Sequence, residues 1–311
     1  MLVRRRIGDI VAAGSTLVAV ATAFSVVPLA TARFHELNLT LADASAMTMP
    51  SAPVTRAVQA SPMIDAKTAH PLDGVQPLEI LRLIREEPQK IGSASLGFPT
   101  RGALWGGVQL QPGAYIEPAS SDFAWGTQGV ISAIELAAAQ VNKRFPKTPK
   151  LFVGDISNRH GGWLRPHRSH QSGLDADVGF YYLGGAAWYQ PATGDNLDVA
   201  RTWALVKALM DHGNVEYMFM DRTVQTLLHE HAKQLGEDPM LMHDVFQSED
   251  HSDTVIRHAA GHISHFHVRF EDPLAVETGA RIYPLLQGNG LVRLAPPPRA
   301  PQRGRIRVRY R

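Results

Sequence analysis

Two histidine-rich stretches constrain this chain more than anything else in it. Pro166 to Asp177 reads P-H-R-S-H-Q-S-G-L-D-A-D, and Gly261 to Phe270 reads G-H-I-S-H-F-H-V-R-F. The second has the period of a β-strand, in which successive side chains face opposite sides. His265 and His267 then share one face, with Phe266 and Val268 turned to the core and His262 on the loop that enters the strand. In the first stretch His170 and Asp177 stand seven positions apart, a spacing that does not suit one helix face. It suits a loop that folds back on itself, with Gly173 supplying an unusual backbone angle. Asp177 opens a strand in this reading, so its carboxylate can reach a metal held by His170, and His167 lines the same cleft. Two imidazoles and one carboxylate are enough to hold a zinc ion with one position left open.

Composition narrows the chemistry further. There are no cysteines among the 311 residues, which excludes a disulfide framework, thiolate zinc ligands and a cysteine nucleophile. Any metal must therefore sit on His, Asp or Glu, and the chain carries 14 histidines. Apolar residues make up 44% and charged residues 19%, as a globular core requires. A formal net charge of +2 gives no argument for nucleic acid as the main partner.

The N-terminus reads as an export signal. Arg4, Arg5 and Arg6 precede an apolar stretch from about Ile10 to Ala32, and Ala30-Thr31-Ala32 resembles a signal-peptidase site. The stretch is also close to the ~20 residues that span a bilayer, so an uncleaved anchor is the alternative. Pro28 and the small residues favour cleavage. Either way the bulk of the chain is expected outside the cytoplasm, in the periplasm or secreted. Residues 33–90 read as a linker, largely disordered, with one short amphipathic helix over Leu78 to Ile84.

The folded domain is expected over 91–290. Glycines at 92, 97, 102, 106 and 107 mark a loop-rich start. Helices are expected over Thr127–Arg144, Leu197–His212 and Thr223–Leu235, and strands over Lys150–Asp155, Asp177–Tyr182, Glu216–Met220 and His265–Phe270, with the domain's last strand ending before Pro273. His229 and His231 lie on different faces of the third helix and read as surface residues. The tail 291–311 is rich in Pro and Arg, with five arginines in its last nine residues. It reads as a solvated tail, or as a patch for anionic wall polymer or lipid headgroups. Membrane contact is expected only through this tail or the N-terminal segment.

The stretches H-R-S-H-Q-S-G-L-D-A-D-V and G-H-I-S-H-F-H-V-R-F resemble the two signature motifs of the penicillin-insensitive murein endopeptidases. These belong to a wider group of zinc peptidases with lysostaphin, the D-alanyl-D-alanine peptidases and the hedgehog signalling domain, whose shared pattern is H-x6-D followed by H-x-H. Ile91 to Gly97 and Gly107 to Leu110 are similar to the family's N-terminal region, so the resemblance covers residues 90 to 275. It implies that His170, Asp177 and His267 bind zinc. It further implies that His265 is the general base, that His262 supports the ligands or the transition state, assisting the oxyanion if it is protonated, and that His167 lines the cleft. The x6 spacing favours Asp177 over Asp175 as the ligand. Arg159 and Arg165 flank the first motif and read either as clamps for a substrate carboxylate or as exposed loop residues. A segment from Gly236 to Ala260, carrying His243, Asp244 and His251, stands as an insertion against the family pattern: a solvated loop, a lining of the substrate groove or a second metal site.

The fold expected is α+β, a small antiparallel sheet carrying the zinc site with helices packed on one side, in a single catalytic domain. The function implied by the resemblance is a secreted zinc metalloendopeptidase. It would act on peptidoglycan stem peptides and hydrolyse the amide between D-alanine and meso-diaminopimelate. The alternatives are a D,D-carboxypeptidase or dipeptidase of the same group, and a non-catalytic wall-binding module that retains zinc. The first of these places Glu-x-x-His where this chain has His-x-His.

Overall fold

The computed structural model describes residues 69–185, 188 and 190–294. The expected export signal, most of the expected linker and the basic tail from 295 onward lie outside the described residues. Among the described residues no helix is long and apolar enough to cross a membrane.

In chain order the elements are α1 (Pro77–Glu86), β1 (Ala94–Phe98), β2 (Arg101–Trp105), β3 (Val108–Gln109), β4 (Ile116–Pro118), β5 (Trp125–Gly126), α2 (Gln128–Arg144), β6 (Leu151–Val153), β7 (Asp175–Gly179), α3 (Val199–Gly213), β8 (Val215–Met220), α4 (Arg222–Gln234), α5 (Pro239–Val245), β9 (Ile256–His258), β10 (His265–Phe270) and α6 (Pro273–Gly288). The architecture is α+β. Six strands form the main sheet in the order β4-β6-β7-β10-β8-β9.

The centre of that sheet is antiparallel, as expected, and its register builds the site. His265 pairs with Gly179, His267 with Asp177 and Arg269 with Asp175 across β10 and β7. On the other side of β10, His267 pairs with Phe219 and Arg269 with Tyr217 of β8. The sheet is not antiparallel throughout: β4 runs parallel to β6 and β9 parallel to β8. These are edge strands of three residues each, placed by long connections rather than by hairpins, so nothing forces them antiparallel.

Alternation along β10 and β7 separates chemistry from packing. Phe266, Val268, Ala176 and Val178 are fully buried in the main core, shared with residues of α2 and α3 such as Ile134, Ala137, Val141, Trp203 and Val206. Each large apolar side chain so buried contributes about 1.5–3 kcal/mol, which pins the strands in the one register that sets His267 opposite Asp177 and Arg269 opposite Asp175. The helices stop and start on local signals. Thr127 accepts a hydrogen bond from the Val130 N–H and opens α2, Asp198 caps α3, and Asn214 ends α3 in the left-handed conformation (φ 41°).

The described residues ahead of Ile91 pack with the residues that follow it. The expected short helix is α1, and its Ile80 and Ile84 join Leu72, Ile91, Leu96, Ile282 and Leu286 in a second, smaller core. After Pro273, α6 lies on the β1–β2 hairpin. A β-carbon on Gly279 would meet the Ser95 carbonyl oxygen at 1.9 Å, so this contact requires glycine. The 236–260 segment is not a plain solvated loop. It supplies α5 and the edge strand β9, and Phe246 stacks on Trp203 with ring centroids 5.4 Å apart.

Candidate metal centre and active site

His170 sits on the loop before β7 and is held from three sides. Its backbone is in the left-handed region (φ 63°), costly for a non-glycine residue and common at functional sites. Its N–H donates to Asp175 Oδ2 at 2.9 Å, and its Nδ1 is 3.0 Å from the Ile156 carbonyl oxygen. A carbonyl only accepts, so Nδ1 carries the hydrogen and Nε2 offers a lone pair. The expected turn glycine, Gly173, has φ 75°.

His267 is oriented by the same logic. Its Nε2 is 3.0 Å from Asp175 Oδ1 and donates to that carboxylate, which leaves Nδ1 with the lone pair. His170 Nε2 and His267 Nδ1 lie 3.0 Å apart; Asp177 Oδ1 is 3.1 Å from His267 Nδ1 and 3.4 Å from His170 Nε2. Two lone pairs and a carboxylate oxygen thus converge with no hydrogen of their own between them. Ligand atoms about 2.1 Å from a tetrahedral zinc stand about 3.4 Å from one another, so the donor set fits a divalent cation in kind and spacing.

The electrostatics agree with a cationic centre. Burial alone would raise the pKa of Asp177, yet the neighbouring His170 and His267 hold its carboxyl well below the usual range. Burial likewise works against ionisation of Asp175, and the Arg269 guanidinium, 2.5 Å away at Nε, together with His267 overrides it. For His267 burial disfavours a charge, and the Asp175 and Asp177 carboxylates raise its pKa nonetheless. The pocket is arranged to hold positive charge between its carboxylates.

Around this centre stand the other histidines. His167 reaches Asp155 Oδ2 at 3.0 Å through Nε2, lies 3.6 Å from Asp177 Oδ2 through Nδ1, and has its ring 4.3 Å from that of His170. With His170 and Asp177 it forms a second candidate ligand group, its donor atoms within 4.8 Å of theirs. His265 is buried, with Nδ1 3.2 Å from Ser264 Oγ, and the half-buried His262 ring lies 5.2 Å from it. Burial first, then the neighbouring His265 and His267, push the His262 pKa down to about 4. The His262 Nδ1 faces the Ala260 carbonyl at 3.2 Å.

The walls are aromatic. Phe219 and Tyr217 of β8 lie with ring centroids 5.9 and 6.5 Å from that of His267. Opposite them the Trp188 indole rests over Gly154 and Gly179, 3.5 and 3.6 Å from where their β-carbons would stand. Arg165 is exposed, two positions before His167.

The structure thus brings His170, Asp177 and His267 together, with His167, His265 and His262 beside them. Asp175, considered in the sequence only as a rival ligand, lies behind His267 and joins it to Arg269. Asp155, Phe219 and Tyr217 carried no motif of their own, and Arg269, inside the second stretch, was given no role. A D-x-D strand laid antiparallel to H-x-H-x-R would have revealed Asp175 and Arg269, since residues two apart share a face.

Residues 95–292, more than half of the chain, match the penicillin-insensitive murein endopeptidase family. A relative from Haemophilus influenzae named penicillin-insensitive murein endopeptidase is 26% identical over 235 residues, which cover 69% of this chain and 76% of that protein. The chain belongs to the penicillin-insensitive murein endopeptidase family, and so to the peptidases that hydrolyse peptidoglycan.

Proposed function

We propose that the chain is an exported zinc endopeptidase that cleaves the D-alanine–meso-diaminopimelate amide joining neighbouring peptidoglycan stem peptides. The observation that carries the metal assignment is the convergence of His170 Nε2, Asp177 Oδ1 and His267 Nδ1, with each histidine fixed by a further partner. When bound there, zinc supplies a Lewis acid that polarises the scissile carbonyl and brings the pKa of water towards ~7.

The chain's own groups do the rest. His265 shares the strand face of His267, so it borders the open side of the donor set. An imidazole there takes a proton from the attacking water as the C–O bond forms, and returns it to the leaving amine nitrogen as the C–N bond breaks. Asp175 keeps His267 in the tautomer whose lone pair is available. Phe219, Tyr217 and Trp188 supply apolar walls that limit water around the scissile bond. No serine or cysteine nucleophile takes part, so a β-lactam has nothing to acylate. The export signal in the sequence and the family's wall substrate support an envelope location.

Metal content and hydrolysis measured together test this reading. Chelation and His170→Ala are expected to remove both, and His265→Ala to remove hydrolysis while zinc stays bound. Solubilisation of cross-linked peptidoglycan that survives complete removal of metal would overturn it.

A further inference from the structure

The 236–260 segment holds a second group of metal-competent side chains, on elements that contribute nothing to the centre described above. His243 and Asp244 stand in the last turn of α5, and His251 lies in the loop that leads to β9. Their donor atoms all fall within 4.8 Å of one another. His243 Nδ1 is 3.3 Å from Asp244 Oδ1, and the His243 and His251 rings are face to face, 4.3 Å apart and only 13° from parallel.

This arrangement is built rather than accidental to a floppy loop. Val245 and Phe246 immediately after the pair are buried in the main core, which fixes the end of α5. The Ser248 N–H donates to the His251 carbonyl at 2.9 Å, and the Val255 N–H to the Asp244 carbonyl at 3.2 Å. The first bond closes the loop on itself at His251, and the second ties its far end back to the helix that carries the other two donors. His243 is 65% exposed and Asp244 47%, so an ion reaches them from solvent without rearrangement. The stacking keeps the two rings adjacent, and a turn of either ring about its side-chain torsions brings both lone pairs onto one ion beside the Asp244 carboxylate.

We propose that His243, Asp244 and His251 form a second metal site, separate from the catalytic centre, which takes a late first-row divalent ion. Two imidazoles and one carboxylate without thiolate suit Zn²⁺, Ni²⁺ or Cu²⁺ and do not suit Mg²⁺ or Ca²⁺, which prefer all-oxygen sites. Bound there, the ion joins the end of α5 to the loop 247–255. It acts as a clasp on the insertion, and hydrolysis does not depend on it.

The test uses the full chain, stripped of metal and then dialysed against Zn²⁺. Wild type is expected to retain one more molar equivalent of zinc than the double variant His243→Asn/His251→Asn. A His170→Ala variant is expected to keep this equivalent and lose the other, which separates the two sites. Zinc should also slow cleavage at the exposed Glu249 by a glutamate-specific protease in wild type and not in the double variant, while hydrolysis of peptidoglycan is the same in both. Asp244→Asn provides a milder variant with the same expected direction. Equal zinc content in wild type and the folded double variant would overturn the proposal, as would zinc-independent cleavage at Glu249 in wild type.

Discussion

Asp175→Asn is the substitution that most sharply separates the two tasks of the buried carboxylate. Asp175 is fully buried and accepts from His267 Nε2, the Arg269 side chain and the His170 N–H. Asparagine keeps one acceptor oxygen and nearly the same volume but removes the charge. Arg269 is then left buried without its counter-ion, and breaking such a pair by removing one partner costs about 3–5 kcal/mol. Its position over the Tyr217 ring, 5.2 Å away, softens the loss, so about 3 kcal/mol is expected. In a domain of this size that lowers Tm by about 6–12 °C. Zinc affinity should fall by about 10–100-fold, because the carboxylate that orients a ligating histidine and raises its basicity is gone. Calorimetric unfolding of the metal-free protein reads the first effect, and a zinc competition titration reads the second. Arg269→Gln, which leaves the Asp175–His267 contact, should reproduce much of the loss in Tm with a smaller loss in affinity. If Asp175→Asn leaves both Tm and zinc affinity at wild-type values, the role assigned to this carboxylate is wrong.

Two further outcomes follow from positions away from the centre. Gly279→Ala places a methyl group 1.9 Å from the Ser95 carbonyl oxygen, so α6 must move off the β1–β2 hairpin; a loss at or above the ~1–3 kcal/mol usual for overpacking is expected in urea unfolding. Glu237 is paired with Lys207 and the Trp203 indole N–H; burial opposes its ionisation, and these two partners hold its carboxyl below the usual range. A depressed folded-state pKa contributes stability above the unfolded value of ~4.3 and loses it as pH falls through the folded value. Wild type should therefore lose more stability than Glu237→Gln between pH 7 and pH 3, by no more than about 1 kcal/mol for a pair near the surface.

Much of the site could be read from the sequence, because strand periodicity fixes which side chains share a face. His265 and His267 were separable from Phe266 and Val268 by alternation alone, and β10 has the bounds expected, His265–Phe270. The antiparallel pairing of β10 with β7 was not visible in the same way. It places Asp175 behind His267 through a contact 92 positions apart in the chain. Local pattern carries no signal for that distance, and Asp175 was weighed only as a competing ligand. The strand β7 also begins two residues earlier than expected, at Asp175, whose burial is compensated by Arg269 and His267 from the paired strand, a contact that local pattern does not show. The short edge strands β4 and β9 and the helix α6 were missed for related reasons. Strands of three residues have too few positions to show a period, and α6 is apolar on more than one face and contains Pro284.

The central claim is that this chain opens peptide cross-links through a centre built on His170, Asp177 and His267. Purified cross-linked muropeptide dimers, incubated with the protein and resolved by mass, test it most directly. The account predicts conversion of dimers to monomers by hydrolysis between D-alanine and meso-diaminopimelate, abolished by a chelator and restored by zinc. Intact dimers in the presence of folded, zinc-loaded protein would contradict it, and so would release of terminal D-alanine alone.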